Sequence, residues 1–301
     1  MSRTDQPLVK AEHIVKHFPI RGGVFLRQVD SVKAVNDVSL EIREGETYGL
    51  VGESGCGKST LGSVLLGLEQ PTSGRVLFDG VDLTACSRQK RRELRRQIQV
   101  VFQDPYESLN PRMTVGEIVS EGLRIQGGCS AQERRERVLQ ILEQVGLSKE
   151  HYGRYPHEFS GGQRQRIGIA RALIVNPRFI VCDEPVSALD VSVQAQIINL
   201  LRDLQRRHGF AYLFIAHGLN VVKYLSGRIG VMYLGQLVEE AGSDALFDHP
   251  RHPYTQALLK AIPDIDAVSG AFEQTLGGDV PSPVHLPDGC PFHPRCAHRM
   301  E

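Results

Sequence analysis

The segment GESGCGKST combines glycines, a lysine and hydroxyl side chains at the spacing of a phosphate-binding loop. We expect its backbone N–H groups to surround phosphates, Lys58 to contact the β and γ phosphates, and the Ser59 hydroxyl to bind Mg²⁺. The apolar run Thr47–Val51 predicts a strand before the loop, and a helix is predicted to start near Lys58. The alternative is a glycine-rich turn that binds no ligand. The candidate residues are Gly52, Glu53, Ser54, Gly55, Cys56 (as a small filler), Gly57, Lys58, Ser59 and Thr60.

Two adjacent carboxylates follow another apolar run, at residues 179–182, which predicts a buried strand that ends at Asp183 and Glu184. In a doubly wound sheet, ligands bind beyond the carboxyl ends of the strands, so both acids are expected beside the phosphates. Asp183 then suits binding of Mg²⁺ through water, and Glu184 suits polarising an attacking water. A third predicted strand, Ala211–Ala216, ends in His217. The alternative for the two acids is a cap on the next helix.

A second glycine-rich string, SGGQ, comes just before a predicted helix that begins at Gln163 and runs over residues 163–174. Backbone N–H groups at a helix N-terminus can meet a phosphate, which makes this string a second candidate for a nucleotide contact. Its residues are Ser160, Gly161, Gly162 and Gln163.

With these strings the chain resembles the nucleotide-binding subunit of an ATP-binding cassette (ABC) transporter over nearly its whole length. The order in that family is the phosphate loop, a glutamine loop, the signature SGGQ, the strand acids, a SALD loop and a switch histidine. All six occur here in that order, with Gln103 in the glutamine loop and Asp190 in the SALD loop. The resemblance implies that the signature binds the ATP of another subunit and that Asp190 couples the two sites. Because the chain has one copy of each motif, a second ABC ATPase subunit is expected.

The resemblance also implies the catalytic roles. Glu184 is the expected general base for in-line attack of water on the γ phosphate, and Lys58 is the expected catalytic cation. His217 and Gln103 are expected to contact the γ phosphate and the Mg²⁺ shell. The residues expected to hold Mg²⁺, partly through water, are Ser59, Gln103 and Asp183.

The fold implied is α/β, with a P-loop NTPase RecA-like core, an antiparallel β subdomain and an inserted α-helical signature subdomain at about residues 104–176. The ATPase domain is expected over residues 1–240. Phe18, just after a predicted first strand at 8–15, is the candidate for stacking on adenine, and the alternative is a core aromatic at the end of that strand. An irregular loop is predicted over residues 20–32, before a strand at 34–42.

The C-terminal part, residues 241–301, carries strings such as LFDHPRHPYTQALLKAIP and DGCPFHPRC. They resemble the extension of ATPases that serve oligopeptide, dipeptide and nickel importers, and SLNPRMTVGEI at 108–118 resembles the F-type member of that group. The resemblance implies a heterodimer with a D-type ATPase, two transmembrane permease subunits and an extracytoplasmic solute-binding protein. Peptide is the expected cargo, and the alternatives are nickel or glutathione. The residues after the glutamine loop, 106–110, are the expected receiving point for the permease, or else an ordinary turn.

Two alternative functions predict different sequence features. A soluble ABC ATPase of translation or DNA repair would favour two fused cassettes, basic arms or a coiled-coil insertion, and a non-hydrolysing regulatory subunit would favour a dead site. Glu184 and His217 are both present, which argues against the second alternative.

Composition agrees with a peripheral, cytoplasmic part of a membrane complex. The 35 basic and 35 acidic side chains balance, which argues against bulk binding of nucleic acid. The basic run at 88–96 is expected to be the solvated face of a helix, with lipid headgroups as the alternative partner. No apolar stretch reaches the roughly 20 residues that span a bilayer, so the expected location is the cytoplasmic face of the cell (inner) membrane.

Six cysteines include one suggestive pair, Cys290 and Cys296. In the family, tails with further cysteines can hold an iron–sulfur cluster, but two thiols fall short of the usual four ligands. We expect that the extension is truncated or that the site is absent, so no cluster is expected in this chain. Two positions depart from the pattern of the group, since Gly218 and Gly227 stand where Asp is usual. Loss of the first acid is expected to loosen the turn that holds His217 and to slow hydrolysis without abolishing it.

Overall fold

A computed structural model describes residues 6–22, 27–261 and 278–299. The described residues fall into two compact units. Unit 1 contains Arg43–Glu46 and Cys86–Leu213, and unit 2 contains the described parts of Asp5–Ile42, Thr47–Ala85 and Phe214–Glu301. Across the described ranges, no helix has both the length and the apolar character needed to cross a bilayer.

The elements alternate between strands and helices along much of the chain. The strands are β1 (Val9–Gly22), β2 (Arg27–Ile42), β3 (Thr47–Val51), β4 (Ser73–Phe78), β5 (Val81–Asp82), β6 (Ile98–Val101), β7 (Phe179–Asp183), β8 (Ala211–Ala216), β9 (Arg228–Tyr233) and β10 (Gln236–Gly242). The helices are α1 (Lys58–Leu65), α2 (Arg88–Arg95), α3 (Pro105–Ser108), α4 (Val115–Gln126), α5 (Ala131–Gln144), α6 (Gly161–Leu173), α7 (Val191–His208), α8 (Leu219–Leu225), α9 (Ser243–Asp248) and α10 (Pro253–Lys260). Short 3₁₀ turns occur at Lys149–Gly153, Pro156–Glu158 and His293–Arg295.

Unit 2 contains an antiparallel sheet in the order β2-β1-β4-β5. Its strands alternate buried apolar with exposed polar residues, as expected for a sheet with one solvated face. In the same unit β3 runs parallel to β9, and β9 pairs antiparallel with β10. All five residues of β3 are buried, so this strand forms a rigid base for the loop that follows it.

The hairpin of β1 and β2 is longer than the sequence pattern predicts. The first strand was expected to end at residue 15 and residues 20–32 to be an irregular loop, but β1 continues to Gly22 and β2 begins at Arg27, with Gly22 opposite Arg27. The prediction was wrong because residues 27–32 lack the alternation of apolar and polar residues typical of a strand, and their strand structure depends on pairing with β1.

Unit 1 contains the parallel pair β6 and β7 and the helices α2 to α7. Helices α4, α5 and α6 pack on one another through apolar side chains that are fully or almost fully buried, among them Val119, Val138, Leu142 and Ile167. Helix α2 carries the basic run, and Leu94 is its one buried residue. The prediction of a solvated basic helix is therefore confirmed.

Candidate functional site

The phosphate-loop segment lies in unit 2 between β3 and α1, with the bounds that the sequence predicts. Lys58, the first residue of α1, is 3% exposed. Its Nζ donates to the carbonyl oxygens of Gly52 at 2.7 Å and Glu53 at 2.9 Å, so the ammonium is held inside the curve of the loop. Within the loop the Cys56 side chain is buried, and this burial raises the pKa of its thiol above the ordinary value. Cys56 therefore fills space in neutral form.

Two glycines of this loop are required by close backbone contacts. Gly57 has a φ of 103°, and a Cβ there would lie 2.0 Å from the carbonyl oxygen of Ala34. Gly52 would bring a Cβ within 2.2 Å of the carbonyl oxygen of Met232. Gly55 also has a positive φ, 76°, but a Cβ there would meet nothing within 4 Å. The loop is therefore pressed against β2 and β9 at its two ends and open at its centre, where Ser54 and Gly55 are exposed.

The acids lie in unit 1 where β7 ends, as the sequence predicts. Asp183 is the last residue of β7 and is half-buried, whereas Glu184 is 6% exposed. Gln103 follows the neighbouring strand β6 closely, and its Nε2 donates to Oε2 of Glu184 at 2.8 Å. The glutamine loop and the candidate base are thus joined directly by a hydrogen bond that fixes one carboxylate oxygen.

The backbone at Glu184 is held in an uncommon conformation, with a φ of 48°. Its carbonyl oxygen accepts from the backbone N–H of Ser187 at 3.2 Å and from the Ser187 hydroxyl at 3.1 Å. Residues in this region of φ persist where the surroundings hold them, and they cluster at functional sites. The turn from Glu184 to Ser187, where the SALD segment begins, therefore fixes the backbone that carries this carboxylate.

The SGGQ string forms the start of α6 rather than the approach to it. The helix was expected to begin at Gln163, but Ser160 is the N-cap and Gly161 is the first helical residue. The Gln163 N–H donates to Oγ of Ser160 at 3.4 Å, and the Ser160 N–H donates to Oε1 of Gln163 at 3.1 Å. The low helix propensity of glycine favours the later start, although Ser followed three residues later by Gln is the sequence pattern of a capping box. The backbone N–H groups at Gly161 and Gly162 have no partner within the helix.

The signature packs directly against the SALD segment and the helix after it. A Cβ on Gly162 would lie 2.4 Å from Cγ1 of Val193, and one on Gly161 would lie 3.3 Å from Cδ2 of Leu189. Asp190 is the N-cap of α7, and its side chain makes no capping hydrogen bond. A side chain at position 162 would therefore require Val193 to move, whereas one at position 161 would only crowd Leu189.

Helix α6 also holds the glutamine loop. The Gln165 side chain, 2% exposed, donates from Nε2 to the carbonyl oxygen of Phe102 at 3.3 Å. The guanidinium of Arg164 lies 3.8 Å from the ring centroid of Tyr106. The carbonyl oxygen of Ser108 accepts a hydrogen bond from Arg171. The signature helix α6 and the glutamine loop are therefore joined by direct contacts within unit 1.

Comparison with known proteins identifies the family of the chain. Residues 35–187 match the profile of the ABC transporter family, and residues 238–301 match that of the oligopeptide/dipeptide transporter C-terminal region. The chain is 51% identical over 295 residues to the oligopeptide transport ATP-binding protein AppF of Bacillus subtilis, an alignment that covers 97% of this chain and 89% of that protein. It is 49% identical to the dipeptide transport ATP-binding protein DppF of Escherichia coli, covering 98% of this chain and 88% of that protein.

The chain belongs to the ABC transporter family. Among solved structures, the dimeric ATP-binding cassette MJ0796, in a post-hydrolysis state with ADP and Pi, is similar to it. That match has a TM-score of 0.69 and 32% identity, and it covers 78% of this chain and 98% of the other. The chain is thus an ABC ATPase subunit with a P-loop NTPase core, as its motifs predict.

The other predicted residues of this ABC subunit lie in unit 2. His217 is exposed just beyond the end of β8. Phe18 was expected just after the end of the first strand, but it lies within β1, opposite Val32, because that strand continues past it. Its ring is 37% exposed, so it is not a core aromatic, and Nζ of Lys16 lies 4.8 Å from the ring centroid. The stacking of Phe18 on adenine stays a prediction.

The donor set proposed for Mg²⁺ consists of oxygen atoms, from the Ser59 hydroxyl, the Gln103 amide and the Asp183 carboxylate. Hard oxygen donors are what Mg²⁺ prefers, so these residue types fit the ion. Within the described residues, no group of three or more His, Cys, Asp and Glu side chains is arranged to hold a metal by itself.

The pair of cysteines noted in the sequence lies in the C-terminal segment. Cys290 is exposed and Cys296 is half-buried, and both are free thiols.

Sequence analysis did not predict two residues that bind the phosphate loop at Glu53. Tyr254, in α10, accepts at its hydroxyl a hydrogen bond from the Glu53 N–H at 2.8 Å. Arg295, in the C-terminal segment, binds the Glu53 carboxylate through both terminal nitrogens, at 2.8 and 3.1 Å. These residues are some two hundred or more positions from Glu53, so no local pattern could predict the contacts.

Gly218, the first of the two departures noted in the sequence, lies at the start of a helix. It is the N-cap of α8, where no side chain caps the helix and no acid lies in the first turn, and a Cβ there would meet nothing within 4 Å. We expect Gly218→Asp to raise the free energy of unfolding by about 0.5 kcal/mol through capping and the helix dipole. Denaturant titration measures this change. Gly227→Asp, equally open but just after the end of α8, is the control, and an equal gain in both variants would contradict the capping account.

Proposed function

We propose that this ABC subunit hydrolyses ATP to power the uptake of di- or oligopeptides through an importer. The observation that carries the proposal of hydrolysis is the Glu184 carboxylate, which is nearly buried at the end of β7 and fixed by Gln103 at 2.8 Å. A carboxylate held in this way can orient water for in-line attack, which a regulatory subunit that does not hydrolyse ATP would not require. The names of relatives at about half identity support peptide as the cargo.

The proposed step is a transfer of the γ phosphoryl group to water. The water oxygen bonds to the γ phosphorus while Glu184 accepts its proton, and the bond from that phosphorus to the ADP oxygen breaks. Lys58 contacts the β and γ phosphates, and His217 contacts the γ phosphate. Mg²⁺, held through Ser59, Gln103 and Asp183, supplies charge neutralisation when bound. Catalysis of this type depends mainly on positioning and electrostatic stabilisation, and the buried, backbone-held Lys58 is already positioned.

The nucleotide contacts proposed beyond catalysis follow the same motifs. The backbone of the loop from Gly52 to Thr60 surrounds the phosphates, and Phe18 stacks on adenine. The signature, Ser160 to Gln163, presents the N-terminus of α6 to the ATP of a second subunit, and Asp190 couples the two sites. The described start of α6, capped by its own Ser160 and Gln163 side chains, supports this role because its first N–H groups are preorganised.

The proposed assembly contains this F-type subunit, a D-type ATPase, two permease subunits and an extracytoplasmic solute-binding protein, at the cytoplasmic face of the cell membrane. Residues 1–240 are proposed as the ATPase domain, with its helical subdomain at about 104–176, and residues 241–301 as the importer-type extension. The permease is proposed to dock near α3, where Tyr106 is 63% exposed.

ATP hydrolysis by the purified chain alone and after assembly in lipid tests the proposal. We expect low activity alone and strong stimulation by the D-type partner and the permease subunits, because a second subunit completes each ATP site. Full activity in the isolated chain, unchanged by the partners, would contradict the proposal and favour a free-standing ATPase.

A further inference from the structure

The C-terminal segment reaches the phosphate loop through one ion pair. The Arg295 side chain is 4% exposed and the Glu53 side chain 25% exposed, and the guanidinium binds both carboxylate oxygens in a forked arrangement. Forked guanidinium–carboxylate pairs are stronger and more directional than single ion contacts. Hydrogen bonding to Glu53 also raises the pKa of Arg295 above its ordinary value, so the arginine stays charged.

The segment is anchored beside this pair by packing. Phe292 is 2% exposed, and its ring lies 5.3 Å from that of Tyr233, at the end of β9, and 5.4 Å from that of Tyr254. Nearer the start of the segment, the carbonyl oxygen of Pro283 accepts a hydrogen bond from the Lys33 N–H at 3.0 Å. Residues 278–299 of the extension are therefore packed on other parts of unit 2 beside the pair of Arg295 and Glu53.

The Glu53 carboxylate places a negative charge in the loop that is proposed to bind phosphates. It is the second residue of the GESGCGKS loop, so its carboxylate belongs to the segment whose N–H groups and Lys58 are proposed to bind a polyanion. An unpaired negative charge there would repel the phosphates, and a partly buried charge is screened weakly by salt. Arg295 cancels this charge at the position where it arises.

We infer that Arg295 is a positioning residue of the nucleotide site, which neutralises and orients Glu53 so that the phosphate loop accepts ATP, and that the C-terminal extension is part of this site. Tyr254 contributes to the same arrangement, because its hydroxyl accepts the Glu53 N–H and fixes the backbone at that residue. The inference rests on the proposed function of the loop. It assigns to the extension a task in ATP binding, in addition to its place in the importer.

The test is a set of charge variants in the assembled complex, with ATP affinity measured by displacement of a fluorescent ATP analogue and KM and kcat measured by phosphate release. We expect Arg295→Gln to weaken ATP binding about tenfold, mainly through KM, because it leaves the Glu53 charge uncompensated. Glu53→Gln in the same chain is expected to restore affinity to within about twofold, since the repelling charge is gone. Arg295→Lys is expected to restore part of it, since one ammonium replaces the charge but not the fork.

The matched control is Arg299→Gln, which removes an exposed positive charge from the same segment and is expected to leave ATP affinity unchanged. Rescue by Glu53→Gln distinguishes a loss of charge balance from a detachment of the C-terminal segment. If Arg295→Gln detached the segment, the double variant would still lack the contact and would bind ATP weakly. Wild-type affinity in Arg295→Gln, or a double variant as weak as the single one, would overturn the inference. Failure of the unsubstituted complex to bind ATP would instead contradict the proposed function.

Discussion

The Glu184→Gln variant is expected to bind ATP as well as the unsubstituted chain and to lose at least about 100-fold in kcat, because general base catalysis contributes roughly that factor or more. The amide has nearly the same shape as the carboxylate, but it cannot accept the proton of the attacking water. Its carbonyl oxygen can still accept the hydrogen bond from Nε2 of Gln103, so the position of the side chain is preserved. Single-turnover hydrolysis, with ATP binding measured in parallel, gives the result.

The Glu184→Gln variant is also expected to trap ATP in a closed dimer, visible as a dimer that persists with ATP in size-exclusion chromatography. Glu93→Gln is a suitable control, because that exposed glutamate lies on α2 and its described ion pair is with Lys90 on the same helix. Unimpaired turnover in Glu184→Gln would contradict the assignment of the general base. A loss of ATP binding equal to the loss of turnover would contradict it as well, because the residue would then act in binding.

The Gly57→Ala variant is expected to lose about 4 kcal/mol of folding stability, or to displace the phosphate loop and lose ATP binding. The methyl group would lie 2.0 Å from the Ala34 carbonyl oxygen, and a φ of 103° is strained for any residue with a Cβ. Because the contact is with backbone, the collision cannot be relieved by a side-chain rotation. Thermal or denaturant unfolding, with ATP binding on the folded fraction, measures both outcomes.

Gly55→Ala is the matched control for Gly57→Ala within the same loop. Its φ is also positive, but its methyl group would point into open space, so a cost of about 1 kcal/mol from conformation alone is expected. Equal losses at the two positions would show that backbone conformation, and not the contact with β2, sets the requirement for glycine. A Gly57→Ala variant with full stability and full ATP binding would contradict the described packing of the loop.

The strands that position the candidate residues Asp183 and His217 could be predicted from sequence, because each is short and ends abruptly. Strand β8 has the predicted bounds, Ala211–Ala216, and β7 extends the predicted run of residues 179–182 by one residue, Asp183. Each is a short apolar run followed at once by a polar residue, and such runs have few alternative structures. The start of α1 at Lys58 was equally accessible, since glycine, lysine and serine in this spacing define the loop before it.

Other features had no local signal or had a misleading one. The extension of β1 through Phe18 depends on pairing with β2, and the glycines near the hairpin suggested a loop instead. The start of α6 at Gly161 depends on the reciprocal bonds of Ser160 and Gln163, which outweigh the low helix propensity of the glycines. The bond between Arg295 and Glu53 joins residues 242 positions apart, and only tertiary structure brings them together.

Uptake into vesicles tests the central proposal most directly. The assembled importer, with its solute-binding protein outside and ATP supplied to the side of this subunit, would be offered a labelled peptide, nickel or glutathione in separate reactions. We predict ATP-dependent accumulation of the peptide, abolished by Glu184→Gln, with no comparable uptake of nickel or glutathione. Accumulation of nickel or glutathione instead of peptide, or peptide uptake that persists in the Glu184→Gln complex, would contradict the proposal.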